Sequence, residues 1–407
     1  TAFDTYYNTQ RLTNKLLLNG RISPNYFIDL TLSHAYFNRT RNIYFKDLTT
    51  LKQTITDSDS DQDTTVFNNY LFRGVFTQKN DSIKLNYSIG TELKRDDVFA
   101  QRVIDKNQWL GDYALFATLD YKPIKAITIK PAVRYAYNTR YQAPIVPSLN
   151  LLLDVNDNLQ FKTSYAKGFR APDLKELYLE FHYNATINLW GNTNLIAENS
   201  DHFNFSAHFH KKINNHQIQF TPKVYYSKIN NLISLVQTSD VDWTYQNVDF
   251  LTTRGTSFLM EYRYKKINLN VGYNFYGNYN SMFDQQNFKN KFFYTNDVNS
   301  SVALKLDSLN LSFNLNYKYT GLIRNNYLTE QKDIKESYIG DYHTFDFSLT
   351  KLLFNKKLST TLGVKNIFDV KEVLMVGDVF GVSNQSNATS LNVLWGRSYF
   401  VSLNYNF

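Results

Sequence analysis

The chain is 407 residues long, with 31 tyrosines, 31 phenylalanines, 4 tryptophans, 15 glycines, 7 prolines and no cysteine. Without cysteine there is no disulfide scaffold, no thiolate metal centre and no thiol chemistry, a usage that suits a chain crossing an oxidising periplasm unfolded. The formal charge of +8 is spread along the chain without a basic run, so the footprint of a nucleic-acid backbone is missing and no nucleic-acid partner is expected.

No run of 18 apolar residues occurs, which excludes membrane-spanning helices. The organising signal is instead strict alternation. Ile83, Leu85, Tyr87, Ile89 and Leu93 alternate with Lys84, Asn86, Ser88, Gly90, Glu92 and Lys94. The pattern returns at Ile267, Leu269, Val271, Tyr273 and Phe275, and again at Leu309, Leu311, Phe313, Leu315, Tyr317 and Tyr319, each set facing Asn, Ser, Gly or Lys at the intervening positions. A period of two predicts strands with one apolar face. Strands of soluble domains run about five or six residues, whereas a tilted strand needs about nine to eleven to cross a bilayer. These segments hold their alternation long enough to cross. Tyr273, Phe275, Tyr276, Tyr317 and Tyr319 lie toward strand ends, as interfacial girdles do, and the opposite face is too polar for a packed core. The expected fold is all-β, a transmembrane antiparallel β-barrel with a wet lumen, extending over residues 1–407.

Short turns are predicted at Asn19-Gly20, Lys79 to Ser82, Lys122-Pro123, Asp154 to Asn158, Ile213 to Asn215, Lys265-Lys266, Asp307-Ser308 and Asn355 to Lys357. Longer polar connections are expected near 40–63, 95–107, 138–147, 168–200, 230–250, 280–291, 324–340 and 369–395. Eight short and eight long connections imply seventeen strands, whereas single-chain bacterial barrels have an even number. If Phe407 ends in the periplasm, the first strand, around Leu12 to Leu18, runs from outside to inside, so at least one further strand and any plug are expected before Thr1. The opening TAFDTYYN carries no initiator methionine and no signal peptide, which fits a processed or partial polypeptide.

The least strand-like stretch is 168–200, which follows the upward strand Leu159 to Ala166 and is therefore an outer loop. Pro172 restricts Ala171 and suits the point where a strand leaves its ladder, and Asp173 to Tyr178 has the spacing of a short helical turn. Gly168-Phe169-Arg170-Ala171-Pro172, followed by Leu174, Glu176, Leu177 and Tyr178, resembles the FRAP segment of the TonB-dependent outer-membrane receptors. Gly191-Asn192-Thr193-Asn194-Leu195 with Glu198 resembles the following box of that family, with Thr193 and Ala197 standing where the family usually has proline. Gly363 to Asp369, and the closing strand from Gly396 through Tyr399, Val401, Leu403 and Tyr405 to the aromatic Phe407, are also similar to it. The resemblance implies a barrel of 22 strands in which the strand before Gly168 is the thirteenth, so that five strands and the plug precede this chain. It further implies an importer rather than an enzyme, seated in the bacterial outer membrane among lipid and lipopolysaccharide. Energy would come from the TonB complex through the plug. No intrinsic cofactor is implied, and the cargo would be an iron complex, either a ferric siderophore or haem.

Several residues are candidates for that cargo. His182 lies between the two boxes, where haem-importing relatives place an axial ligand; the alternative is an ordinary polar loop residue between Phe181 and Tyr183. Arg170, Tyr178, Phe181, Tyr183 and Trp190 are expected to contact or frame ligand, because aromatic rings stack on planar chelates and arginine pairs with carboxylates. Loop 168–200 is expected to move without breaking the barrel ladder. His202, His208 and His210 share one strand face as a metal-transit path or, more simply, as pore lining, and Asp57, Asp59, Asp61 and Asp63 imitate a calcium loop. That loop carries Gln62 where glycine is needed and Asn68 where a bidentate glutamate is needed. No GxSxG, HExxH or glycine-rich phosphate loop occurs. Other readings are a passive pore, a structural barrel partnering a surface lipoprotein, and import of cobalamin or another nutrient.

Overall fold

The computed structural model describes residues 2–57, 61–183, 187–239, 241–281, 292–328, 334–376 and 389–406. They form two compact units, and the boundary between them cuts across strands. No helix among the described residues is long and apolar enough to cross a membrane.

The first unit comprises Thr1–Leu151, Tyr165–Asp201 and Ile229–Asp249. Its meander runs β1 (Ala2–Ser23), β2 (Tyr26–Lys46), β4 (Asp63–Gln78), β5 (Leu85–Ala100), β6 (Asn107–Ile124) and β7 (Ile127–Asn138), with a short β3 (Gln53–Ile55) laid on the end of β2. Each long strand pairs antiparallel with the next, and the register keeps one apolar row in line. Leu16, Leu32, Phe72, Leu93, Tyr113 and Tyr137 are successive partners across the six strands. The row beside it, on the other face, is Lys15, Ser33, Leu71, Lys94, Asp112 and Asn138. Slipping one strand by one residue would exchange the two faces, so the alternation itself fixes the register. To this unit belong the outer ends of β8 (Val146–Asn156) and β9 (Leu159–Arg170), then α1 (Leu174–Tyr178), β10 (Glu180–Tyr183), β11 (Ile187–Trp190), and the ends of β12 (Glu198–Ile213), β13 (His216–Gln237) and β14 (Asp242–Tyr264).

The second unit comprises Leu152–Ser164, His202–Lys228 and Phe250–Phe407. It continues with β15 (Ile267–Asn280), β16 (Phe293–Leu306), β17 (Leu311–Thr320), β18 (Ile323–Leu328), β19 (Ile334–Ile339), β20 (Tyr342–Leu353), β21 (Leu358–Lys365), β22 (Glu372–Val376), β23 (Thr389–Asn392) and β24 (Ser398–Tyr405). The apolar row here is Tyr262, Leu269, Val302, Leu315, Phe347, Val364 and Tyr399, one residue from each long strand in turn. Its polar counterpart runs Glu261, Asn270, Ser301, Asn316 and Asp346.

Among the described residues seventeen strands make up the two meanders, and seven shorter ones (β3, β10, β11, β18, β19, β22 and β23) decorate the long connections. Three of the eight long polar connections carry antiparallel pairs of short strands among their described residues, β10 with β11, β18 with β19 and β22 with β23. Two short turns differ from expectation. Gly20 stays inside β1 opposite Ile28, and the chain reverses at Pro24-Asn25, because proline ends a ladder more firmly than a strand glycine does. Pro123 likewise lies within β6, at a break in its register with β7, and the reversal falls at Lys125-Ala126. The turns at 214–215 and 265–266 match their predicted places, with Asn214 and Lys265 in the left-handed conformation that two-residue hairpins demand.

An aromatic ladder in the second unit depends on one missing side chain. Gly277 faces Tyr294 across β15 and β16, and a Cβ there would stand 2.6 Å from the Tyr294 ring. Tyr294 stacks on Phe275 at 5.1 Å and accepts a hydrogen bond from Arg254 Nε at 2.8 Å, while the Arg254 guanidinium lies 3.9 Å from the Phe292 ring centre. Gly277→Val is expected to push Tyr294 off this stack and cost about 1–3 kcal/mol. A lowered urea midpoint for loss of the heat-resistant gel form would show it, and an unchanged midpoint would mean the stack contributes nothing.

Candidate functional site

The segment after β9 is where the sequence stops alternating and starts to bury side chains. Pro172 is fully buried at the exit from the ladder. Asp173 caps α1: its carboxylate accepts from Glu176 N at 2.8 Å, and the Glu176 carboxylate accepts from Asp173 N at 2.8 Å, a reciprocal capping box. This holds one helical turn too short to persist alone. Leu174, Leu177 and Tyr178 then pack with Leu195 against Val98, Ala100, Val103 and Leu110 of the β5–β6 region and Ile233 of β13. Loop 168–200 is therefore a packed wedge in the first unit rather than a slack connection, and removing it would open the unit's main apolar cluster.

Arg170 locks the wedge. Its Nε and Nη2 donate to Glu198 at 2.8 and 2.6 Å, and its Nη1 donates to both oxygens of Glu176 at 3.0 and 2.9 Å. Glu198 is buried and also accepts from Ile233 N at 2.7 Å. Two carboxylates hold the guanidinium firmly charged, raised further above its usual range first by Glu198 and then by Glu176, against the opposing effect of burial. Arg170 thus frames the site by holding it together, with its donors turned toward protein. Tyr178 is only 2% exposed, under the Arg140 guanidinium at 4.8 Å, and burial pushes its phenol up. Its place is the core rather than a ligand surface.

The second half of the loop is the β10–β11 hairpin, in which Glu180, Phe181, His182 and Tyr183 face Trp190, Leu189, Asn188 and Ile187. Gly191 ends it because a Cβ would stand 2.6 Å from the backbone of Leu177 and Tyr178, so only glycine lets the hairpin lie on α1. Asn192 then accepts from Asn194 N at 2.9 Å, an Asx turn that shapes the segment where Thr193 replaces the family's proline. Asn247 clasps Ile196 through both its side-chain groups, donating to Ile196 O and accepting from Ile196 N, each at 2.9 Å.

His182 is exposed, and its ring meets the Trp190 ring edge-on at 4.9 Å. Its Nδ1 lies 2.9 Å from Asn188 Oδ1 directly across the hairpin. Because Asn188 Nδ2 donates to Asp242, it is the amide oxygen that faces Nδ1, an arrangement that suits the Nδ1–H tautomer. Behind this pair stands Asp242, where β14 runs parallel to β11. Its carboxylate accepts from Asn188 Nδ2 at 2.8 Å, Trp190 Nε1 at 3.1 Å and Ser239 Oγ at 2.8 Å. Those donors, Asn188 first, hold its pKa below the ordinary carboxylate range. The structure therefore gathers His182 and Trp190 on one edge of the hairpin. Phe181 lies on the opposite face under the Arg102 guanidinium at 4.5 Å, and Tyr183 pairs through its backbone with Ile187.

The other candidates separate. His208 Nδ1 lies 2.9 Å from Thr221 Oγ1, and no group of three metal-binding side chains forms among the described residues, His202 and His210 included. Asp59 and Phe407 lie outside the described residues. Asp63 leaves the supposed calcium loop and pairs with Arg102 at 3.1 Å. Asn188, Asp242 and Asn247 had no sequence signal, because their partners are set by strand register and by loops some fifty residues apart.

Two outcomes follow from this geometry. In an Arg170→Ala, Glu198→Gln double-mutant cycle the coupling should reach about 1–3 kcal/mol, more than an exposed ion pair gives because Glu198 is buried. A coupling near zero would make the fork decorative. Because the folded pKa of Asp242 is depressed, its hold on the hairpin is complete above its ordinary value of 3.8 and is lost as pH falls through the lower folded value. The protection factor of Asn188 N, which donates to Val241 O, should therefore fall on acidification, and Asp242→Asn should lack that protection at every pH.

The family model described as TonB dependent receptor-like, beta-barrel matches residues 1–367. Solved structures with the same fold include the siderophore receptor PirA from Pseudomonas aeruginosa, at 14% identity and a TM-score of 0.64 over 98% of this chain and 73% of that one. PirA from Acinetobacter baumannii is 13% identical with a TM-score of 0.68 over 99% of this chain and 71% of that one. The FrpB iron transporter from Neisseria meningitidis, F3-3 variant, is 13% identical with a TM-score of 0.73 over 99% of this chain and 64% of that one. No curated protein sequence matches significantly. The family and these neighbours are receptors and transporters rather than enzymes. The seventeen-strand meander, the FRAP wedge and the family match together place this chain in the TonB-dependent receptor β-barrel family.

Proposed function

We propose that this chain is the barrel portion of an outer-membrane receptor that imports an iron complex, with the β10–β11 hairpin as the part that meets the cargo. Outer-membrane residence is supported by the two apolar rows: Leu16, Leu32 and Leu93 stay about half exposed and Tyr399 is 73% exposed, a surface that lipid covers and water does not. In the reading that completes the barrel, strands and a plug preceding Thr1 close the sheet at 22 strands, and TonB acts through that plug. The iron class is supported by the neighbours described as siderophore receptors and an iron transporter.

The observation that carries the cargo site is the exposed His182 ring, oriented by Asn188 and backed by Trp190. An oriented neutral imidazole beside an indole can ligate haem iron and cover a porphyrin face. The test uses the full-length receptor in detergent with haem. Haem binding should shift the Soret band, His182→Ala should abolish the shift while the heat-resistant folded form persists, and Asn188→Ala should weaken it. A shift that survives His182→Ala would remove the axial role. Absence of any shift in the unaltered receptor would move the cargo to ferric siderophores, for which growth on the chelate is the readout.

A further inference from the structure

The short-turn end of the second unit breaks the apolar pattern at one residue. Two rows from Leu315 toward that end, successive cross-strand partners run Leu403, Thr360, Lys351, Leu311 and Leu306, so Lys351 stands in line with leucines on the apolar face. The row between, Val401, Leu362, Leu349, Phe313, Leu304 and Ile267, is wholly apolar.

The charge of Lys351 does not stay in its row. Its Nζ donates to Leu309 O at 2.6 Å, in the turn between β16 and β17. Long cationic side chains lay their stems along apolar surface and carry the ammonium out to a polar layer, so this bond marks where the apolar band ends. From the opposite side Lys266, in the β14–β15 turn, reaches Asp307 of the same central turn at 2.7 Å. Beside it the Lys265 ammonium lies over the Tyr264 ring at 5.2 Å, and Tyr264 is on the apolar face as the partner of Ile267. Backbone bonds hold the three turns in place, since Lys305 N donates to Lys266 O at 3.0 Å and Leu352 N to Asn310 O at 2.9 Å. Leu309 and Leu353 are exposed at the same level.

An aromatic ring and exposed leucines, with ammoniums directly beyond them, match the order of layers at a bilayer surface: acyl chains, then interface, then phosphate. The short turns of bacterial barrels face the periplasm, where the leaflet consists of phospholipid. A zwitterionic headgroup brings its own ammonium to its phosphate, whereas an anionic one leaves the phosphate for the protein to neutralise.

The geometry points to a seat for the phosphate of an anionic phospholipid, formed by Lys265, Lys266 and Lys351 around the turn Asp307–Leu309, with Leu309 and Leu353 at the acyl boundary. It rests on the membrane residence proposed above and is independent of the cargo.

The experiment places a tryptophan reporter in the full-length receptor, reconstituted in vesicles containing brominated phosphatidylglycerol or brominated phosphatidylcholine. Leu353→Trp reports beside the seat and Leu315→Trp reports within the band. Quenching of the added tryptophan, relative to the receptor without it, gives the relative affinity of the two lipids. At Leu353→Trp phosphatidylglycerol should be preferred ~5-fold at low ionic strength, and salt should reduce the preference. Lys266→Gln combined with Lys351→Leu should bring the preference close to one, Lys351→Arg should keep it, and Asp307→Asn should strengthen it by freeing Lys266. If the doubly changed receptor does not insert, Lys351→Leu alone, which suits its apolar row, should at least halve the preference. Equal quenching by both lipids at Leu353→Trp, or a preference that survives the lysine changes, would overturn the seat. Quenching at Leu315→Trp with none at Leu353→Trp would overturn the seat and leave the membrane reading standing. Quenching at neither reporter would overturn both.

Discussion

The wedge that follows β9 is held together by the Arg170 fork. A strand that leaves its ladder exposes backbone donors and acceptors that must find partners elsewhere, and a five-residue helix cannot supply them from its own hydrogen bonds. Glu176 caps the helix and binds Arg170, and Glu198 binds Arg170 and the Ile233 amide. One guanidinium thereby joins the end of β9, the helix, the start of β12 and, through Glu198, the last part of β13. The apolar wedge of Leu174, Leu177 and Leu195 can then pack, because its backbone has already been fixed.

The long strands were legible for a simple physical reason: each carries one apolar and one polar face, so the chemistry repeats every two residues and needs no knowledge of the partner strand. Seventeen such segments stand out in the sequence and seventeen appear among the described residues. Turn positions were less secure where a glycine and a proline competed. Gly20 merely tolerates a turn, whereas Pro24 interrupts the ladder, and the chain follows the stronger constraint. The packing of the loop was not legible, because burial there has no period. Leu174, Leu177 and Leu195 reach the core from a helix turn and an Asx turn, which leave no alternating trace.

At the site itself, residue types were readable and roles were not. Arg170 and Tyr178 carry the chemistry of ligand contact, yet one is held by two glutamates and the other is buried under Arg140. His182 kept its exposure, but what orients it is Asn188 across a hairpin and Asp242 behind it. Cross-strand partners depend on register, and register inside a short loop hairpin has no apolar face to announce it.

The β5–β6 turn is tied at once to β4 and to the hairpin. Arg102 reaches Asp63 through its side chain, while its carbonyl accepts from Glu180 N at 2.7 Å. Its neighbours do the same work, since Val103 bridges to Leu179 and Ile104 N donates to Tyr178 O at 3.0 Å. Two consecutive left-handed residues, Asp105 and Lys106, close the turn and leave it little freedom to deform internally. The Asp63–Arg102 ion pair and the hairpin that presents His182 are thus tied to one short stretch of backbone.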